Sequence, residues 1–414
     1  FKKIRILSRK SDLAVIQAKE VGNILLSKFP NLNIEYITKS TSGDKDLTTP
    51  LSEMSTNGVF TDDLRKYLIN NKCDLVVHSW KDLPLDLGNN TVLAGTLERA
   101  DQRDILFIKK KSIPRIKIEK KISILSSSPR RVYNLEPFAK EYLPFELKKI
   151  NFINIRGNIP SRFKKFINGD DDGFVLAKAA LDRLLNHNIR DYNSLSKLIR
   201  TYIKKCHWTV TPLSINPTSP GQGALACEIR NEDNALKDII EKINYQDDFE
   251  CVEKEREILR KYGGGCHQKI GISFFLMHFG LMQSARGETE NGKNFYNWQI
   301  YKDAVVKGKI SKENIYPYSL KDYNLFSRKE IDESIPKINA LRNHCILVSR
   351  KSSLPKNAII QDNNIVWTSG LNTWKALSKR GIWVNGSNDG MGENSNPKIE
   401  SLTNNIWVKL THVD

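Results

Sequence analysis

Apolar and polar positions fall into short blocks of two kinds along the chain. Strand-like runs, in which apolar residues alternate or follow one another, lie at residues 1–8 (with Ile4, Ile6 and Leu7), 33–38, 74–78, 121–125, 150–155, 174–177 and 225–229. Helical spacing occupies 9–28 and 62–70, opens at 126 and at 156, and returns at 179–185. Strands alternating with helices predict parallel α/β sheets, here in two successive units. The glycine turn Pro220-Gly-Gln-Gly-Ala224 then leads into 225–229, which reads as a strand crossing back to the first unit. A third region begins near Asp247, helical over 251–261 and followed by Gly263-Gly-Gly-Cys266. Beyond about Arg286 the pattern dissolves, and 284–295 and 386–405 predict loops or inserts.

Helix starts are marked by residue type. Ser11 or Asp12 suits the cap of the first helix, and Pro129 stands where proline is favoured, in the first helical turn. The stretch Asp74-Leu-Val-Val-His-Ser-Trp-Lys-Asp-Leu-Pro84 organises the rest. Its apolar run predicts a buried strand, and Pro84 turns the chain. Ser79, Trp80, Lys81 and Asp82 are thereby delivered to the carboxyl end of a strand, where open α/β sheets place ligands. An ammonium beside a carboxylate there suits proton chemistry, and equally a structural ion pair.

The chain of 414 residues carries a formal charge of +18, with 39% hydrophobic residues. That length predicts two or three domains, and the charge an anionic partner. Lysine and asparagine are abundant throughout, so the placement of arginine is the sharper signal. No basic helix or aromatic-interleaved stripe of a nucleic-acid binder is present, and no apolar run is long enough for a membrane span. The six cysteines form no Cys-x-x-Cys pair, so neither a disulfide framework nor a metal site is expected.

Three strand-to-helix turns carry arginine: Arg9, the pair Arg130-Arg131, and Arg156 with Arg162. Backbone N–H groups and the dipole at helix N-termini already favour anions, and arginine adds a planar fork matched to carboxylates. No phosphate-binding glycine loop of P-loop or Rossmann type accompanies them, so the pattern points to a pocket for a polycarboxylate. In Gly263-Gly-Gly-Cys266 a permissive backbone presents a thiol suited to covalent attachment; an ordinary surface cysteine fits the same residues.

Seven segments, in order, resemble the motif series of the porphobilinogen deaminase family: Ser8-Arg-Lys-Ser-Asp-Leu-Ala14, Ser42-Gly-Asp44, Val77-His-Ser-Trp-Lys-Asp-Leu-Pro84, Ser127-Ser-Pro-Arg-Arg131, Ile155-Arg-Gly-Asn158, Gly221-Gln-Gly223 and Gly264-Gly-Cys266. They cover the chain to about Ile272. The resemblance implies two α/β domains like type II periplasmic-binding proteins, 1–98 with 224–243 and 99–223, and a smaller α+β domain, 244–414, carrying the cofactor cysteine. It implies a transferase, hydroxymethylbilane synthase, which condenses four porphobilinogen molecules with loss of ammonia and releases hydroxymethylbilane by hydrolysis. The implied cofactor is a dipyrromethane bound through a thioether to Cys266.

By position in the motifs, Asp82 matches the catalytic carboxylate, which assists loss of the amine and stabilises the azafulvene cation. Ser11, Ser79, Lys81, Asp82, Ser127, Ser128, Arg130, Arg131 and Arg156 match residues that hold the cofactor. Arg9, Asp44, Phe60, Arg156, Arg162, Arg183 and Gln222 match the substrate-binding set, with Phe60 packing on the incoming pyrrole. Asn57 stands where relatives often have a basic residue, His267-Gln-Lys269 replaces a more apolar pattern, and an insertion lies between Arg183 and Gln222.

The stretch Val366-Trp-Thr-Ser-Gly370 is faintly similar to strand-to-turn segments of uroporphyrinogen-III synthase, which implies an added second activity or a hand-over to that enzyme. A non-catalytic carboxylate-binding module of the periplasmic-binding-protein fold is the alternative reading; it has no use for Asp82 beside Lys81 or for the cysteine loop. The chain is expected to be a monomer, without nucleic-acid or membrane partners. Phe1 in the first position and the Lys/Asn bias lead to the expectation of a plastid protein whose presequence is absent, with the cytoplasm as alternative.

Overall fold

The computed structural model describes residues 3–41, 61–263, 268–303, 311, 329–392 and 395–411. Strands β1 (Lys3–Arg9), β2 (Asn33–Lys39), β3 (Leu75–Ser79), β4 (Thr91–Gly95) and the distant β10 (Leu225–Arg230) form one sheet in the order β2-β1-β3-β10-β4. Strands β5 (Asp104–Lys109), β6 (Lys121–Leu125), β7 (Lys149–Ile153), β8 (Gly173–Ala177) and β9 (Cys206–Val210) form a second, ordered β7-β6-β8-β5-β9. The two layouts are the same. A parallel trio is followed by one antiparallel strand, β10 or β5, which is the first strand reached after the chain crosses between domains. This is the paired α/β architecture expected from the sequence.

Local sequence explains most of these elements. All six residues of β5 are buried, as are the first four of β3, which suits strands covered on both faces. The helix Asp12–Lys28 lays Ala18, Val21 and Leu25 against the first sheet, while Ile16 joins the core of the second domain. Strands β4, β5 and β9 were not predicted. Each is only five or six residues long and is held by partners far away in sequence. The insertion before Gln222 holds β9 and the helix Asn193–Lys204, whose Ile199 is buried.

The helix Gln246–Lys261 packs on an antiparallel meander of β11 (Gly271–Met277), β12 (Gly280–Glu288) and β13 (Asn294–Asp303). Residues 284–288 and 294–295, expected as loop, are therefore strand. Buried polar residues hide the period there: Ser284 Oγ donates to the Leu213 carbonyl at 2.6 Å and Gln299 Nε2 to Gln283 Oε1 at 2.9 Å. Gly271 brings β11 close to the return crossing, since a Cβ there would lie 2.1 Å from the Pro217 carbonyl oxygen.

A separate parallel sheet, ordered β16-β15-β14-β17, closes the chain: β14 (His344–Val348), β15 (Ile365–Thr368), β16 (Gly386–Ser387) and β17 (Ile406–Leu410). Residues 244–414 thus contain two sheets among the described residues. The last unit docks on the second domain, where Ile346, Val348, Trp374 and Leu377 share one core cluster with Leu106, Ile108, Phe138 and Tyr142. Trp374 meets Phe138 edge-on at 5.5 Å and donates Nε1 to the Tyr142 carbonyl at 3.0 Å. Among the described residues no helix is long and apolar enough to cross a membrane.

Candidate active site

β3 ends at Ser79, and a single 3-10 turn, Trp80–Asp82, follows. Trp80 is fully buried and packs on Phe249 with ring centroids 4.9 Å apart, which anchors the turn. Lys81 and Asp82 consequently stand at the strand's carboxyl edge. Asp82 Oδ2 lies 4.0 Å from Arg9 Nη1 at the end of β1 and stays about one-third exposed, at 35%. Lys81 Nζ donates to Gln222 Oε1 at 3.3 Å, while Ser79 Oγ and the Gln17 amide bond each other at 2.9 and 3.2 Å. Burial pushes the Lys81 pKa down, Asp82 pulls it back up, and Arg131 pushes down again.

Across from this edge stands an arginine cluster organised by one carboxylate. Asp104, wholly buried at the start of β5, accepts from Arg130 Nη2 at 2.9 Å and from Arg131 Nε and Nη2 at 3.1 and 2.7 Å. It also accepts from Asn216 Nδ2 at 3.0 Å and Gln222 Nε2 at 2.8 Å. Burial would raise its pKa, but Arg130 and Arg131 outweigh that and hold it far below the usual carboxylate range. Gly221 and Gly223 both adopt positive φ (78° and 91°), the backbone freedom that turns Gln222 towards Lys81 and Asp104.

Arg162 supplies the clearest sign of an anion site. Burial lowers its pKa to about 10, Arg131 and Arg156 add to the effect, and Asp82 alone opposes it. Its Nε is buried without a hydrogen-bond partner among the described residues, as is Arg130 Nε. Clustered guanidinium groups with orphaned N–H donors fit a carboxylated ligand.

The structure brings together Arg9, Lys81, Asp82, Arg131, Arg156, Arg162 and Gln222 from the sequence-predicted set. Arg130 is turned inward, bonding Asp104, Asn216 Oδ1 and the Pro217 carbonyl. Ser127 Oγ bonds both the carbonyl and the N–H of Ile155 at 2.8 Å, pinning the two arginine-bearing turns to each other. Ser128 caps the helix Pro129–Tyr142, accepting from Arg131 N at 3.4 Å. Ser11 occupies the cap position of the first helix, but its hydroxyl makes no capping bond. Arg183 points to the domain boundary, donating to Glu20 Oε2 at 2.8 Å and to the Gly223 carbonyl at 3.2 Å. Asp44, Phe60, the 53–58 loop and Cys266 lie outside the described residues.

Sequence reasoning missed three buried carboxylates that hold the site in place. Asp104 gave one signal, a lone acid at the entrance of the apolar run 105–108. Glu255, from the third region, takes both Nη atoms of Arg99 at 2.8 and 2.9 Å and the Gly221 N–H at 2.7 Å. Glu228 accepts from Thr91 Oγ1 and Arg65 Nε, each at 2.6 Å, and bonds His78 Nε2 at 2.8 Å, just before Ser79.

The family described as "Porphobilinogen deaminase, dipyromethane cofactor binding domain" matches residues 4–238. This chain belongs to the porphobilinogen deaminase family. A porphobilinogen deaminase of Syntrophomonas wolfei is 32% identical over 267 residues, covering 64% of this chain and 79% of that one. One of Chlorobium phaeobacteroides is 33% identical over 314 residues, covering 76% and 88%. Among solved structures, the methionine-binding protein MetQ aligns over 62% of this chain and 96% of its own, at 10% identity and TM-score 0.35. As a porphobilinogen deaminase the chain is a transferase that makes hydroxymethylbilane from porphobilinogen on a dipyrromethane cofactor.

Proposed function

We propose that the cleft between Asp82 and the arginine cluster is where the condensation occurs, with Asp82 as its catalytic carboxylate. The observation that carries this is Asp82 at the β3 edge, set against Arg9, Arg131, Arg156 and Arg162. Each porphobilinogen brings an acetate and a propionate, and Arg9, Arg156 and Arg162 bind these groups. Burial of such carboxylates without partners is costly, so the guanidinium groups make binding possible in a partly dry cleft. The Asp82 carboxylate holds the substrate's aminomethyl ammonium. Once ammonia departs, it faces the positive charge left on the pyrrole methylene and lowers the energy of that cation.

A dipyrromethane on Cys266 would be held by the residues that follow and would supply an electron-rich pyrrole carbon, which gives up its proton as it bonds the substrate methylene. Arg131, Lys81, Ser79 and Ser11 hold its side chains, with Ser127, Ser128 and Arg130 shaping the turns beneath. Asp44, Phe60 and Gln222 complete the substrate side. Replacement of Asp82 by Asn keeps the shape and removes the charge. Turnover in D82N falls by on the order of 10²-fold or more, whereas wild-type turnover in that variant would overturn the assignment.

The division into 1–98 with 224–243, 99–223 and 244–414, the monomeric state and a plastid location belong to the same reading, the last supported by the Lys- and Asn-rich composition. Limited proteolysis, light scattering and fractionation test them in turn. The parallel α/β unit around β15 supports hand-over to uroporphyrinogen-III synthase or a share in its activity. Formation of the type III isomer by the purified protein alone would establish the second activity.

A further inference from the structure

Two segments cross between the first two domains, 96–103 between β4 and β5 and 211–224 between β9 and β10. Between them they carry or adjoin Asp104, Asn216, Pro217 and Gln222, the groups that aim Arg130, Arg131 and Lys81. Both segments are gripped by the C-terminal unit. On the outgoing segment, Arg103 Nη2 donates to the Pro397 carbonyl at 2.6 Å, and its guanidinium lies 5.6 Å from the ring of the fully buried Trp367. Lys178, fully buried, joins Asp101 at 3.5 Å and Asp182 at 2.6 Å and also bonds the Lys398 carbonyl. On the return segment, Ser214 N donates to Asp389 Oδ2 at 2.9 Å, and Ser214 Oγ donates to Asp389 Oδ1. Just upstream, Val210 N donates to the Asn385 carbonyl at 2.8 Å, and the Trp208 carbonyl accepts from Asn385 Nδ2 and Trp383 Nε1, both at 2.9 Å.

These contacts are not spread evenly over the docking face. Asp389 bonds Ser214 two residues before Asn216, and Arg103 directly precedes Asp104. Asp389 holds its own geometry in the left-handed region, at φ 58°, which a β-branched or bulky residue adopts only with strain. We infer that the C-terminal unit is a positioning element of the deaminase site: Asp389 through Ser214, and the carbonyls of Pro397 and Lys398 through Arg103 and Lys178, fix the two crossing segments that aim the arginine pair and Lys81. The inference rests on Asp104 and Gln222 serving the reaction. It gives the unit a task that needs no ligand of its own.

The test compares full-length Asp389→Ala, Asp389→Asn, Ser214→Ala, Gln222→Ala and Ser378→Ala. Ser378 Oγ donates to the Tyr142 carbonyl at 2.6 Å, at a part of the docking face away from the crossings, so its loss reports docking alone. Steady-state rates are taken well below the lowest melting temperature, and intact masses report cofactor loading separately. Positioning predicts a kcat loss on the order of tenfold or more in D389A and S214A, a smaller loss in D389N, which keeps one acceptor, and wild-type kcat in S378A despite a lower Tm. If D389A, D389N and S214A keep the wild-type kcat while Q222A loses it, the positioning role is wrong and the site reading stands. Wild-type kcat in Q222A as well overturns both. Equal losses across S378A and D389A reduce the unit to a structural prop.

Discussion

Lys81 on the first domain donates to Gln222 Oε1 at 3.3 Å, and the amide of Gln222 donates onward to Asp104 at 2.8 Å. One neutral side chain therefore couples the ammonium of the Trp80–Asp82 turn to the carboxylate that aims two arginines. Replacement of Gln222 by Glu puts a second acid against Asp104. Q222E should lose about 1–3 kcal/mol of stability, the cost of breaking a buried hydrogen-bond set, and a urea titration against wild type measures it.

Asp104 compensates two buried guanidinium groups at once. Removing its charge in D104N leaves Arg130 and Arg131 facing each other, and breaking a buried pair of this kind costs about 3–5 kcal/mol. Denaturant unfolding should show that loss, together with weaker retention of the cofactor in intact-mass spectra.

Arg162 behaves differently because burial, and then Arg131 and Arg156 beside it, already disfavour its charge against the pull of Asp82. In R162A the Tm should hold or rise, since repulsion from Arg131 and Arg156 is relieved. The KM for porphobilinogen should increase roughly 10- to 100-fold, the equivalent of one charge-assisted hydrogen bond of about 1.5–3 kcal/mol. Thermal melts and initial rates on the same preparation check the two halves of that expectation.

Arg183 and Glu20 separate a structural from a ligand-binding arginine. Their ion pair joins the helix Lys178–Leu185 to the helix Asp12–Lys28 at 2.8 Å, with Glu20 about one-third exposed. Such a pair contributes only about 0–1 kcal/mol. If bridging helices is the whole role, E20Q and R183A match in kcat and KM; if Arg183 also takes a substrate carboxylate, R183A alone raises KM.

Glu228 makes the acid limb of stability readable. Burial would raise its pKa, yet His78 and Arg65 bring it down to about 2. A carboxyl depressed in the folded state stabilises the fold above its unfolded pKa and loses that contribution as pH falls through the folded value. From about 4.5 to about 2 the shift corresponds to about 3 kcal/mol. Wild type should lose stability through that window, and E228Q should show a flatter profile from a lower starting point in urea melts taken from neutral pH down to about pH 2.

Much of this was legible in the residues. The apolar run 74–78 and the turn after it placed Lys81 and Asp82 at a strand edge, and the arginines of three turns did converge. What sequence could not tell was which arginine faces inward. Arg130 and Arg131 are neighbours of one chemical type, and only the distant Asn216 and Pro217 turn Arg130 into the protein. Apart from the strand-to-turn likeness at 366–370, the sheet β14–β17 stayed hidden because its short strands and the helix Leu371–Lys379 beside them rely on contacts with the second domain. Ile346 and Val348 share one cluster with Leu106 and Ile108, and Trp374 packs on Tyr142. Trp374→Ala should cost about 3–5 kcal/mol for that reason, as read by the shift in denaturation midpoint.

The most direct measurement is the intact mass of the purified protein beside Cys266→Ala and Asp82→Ala, before and after incubation with porphobilinogen. Wild type should carry the added mass of two linked pyrroles, C266A should stay at its bare polypeptide mass throughout, and D82A should fail to turn over. Wild type that remains at the bare mass even after porphobilinogen or preformed hydroxymethylbilane is supplied would contradict the account.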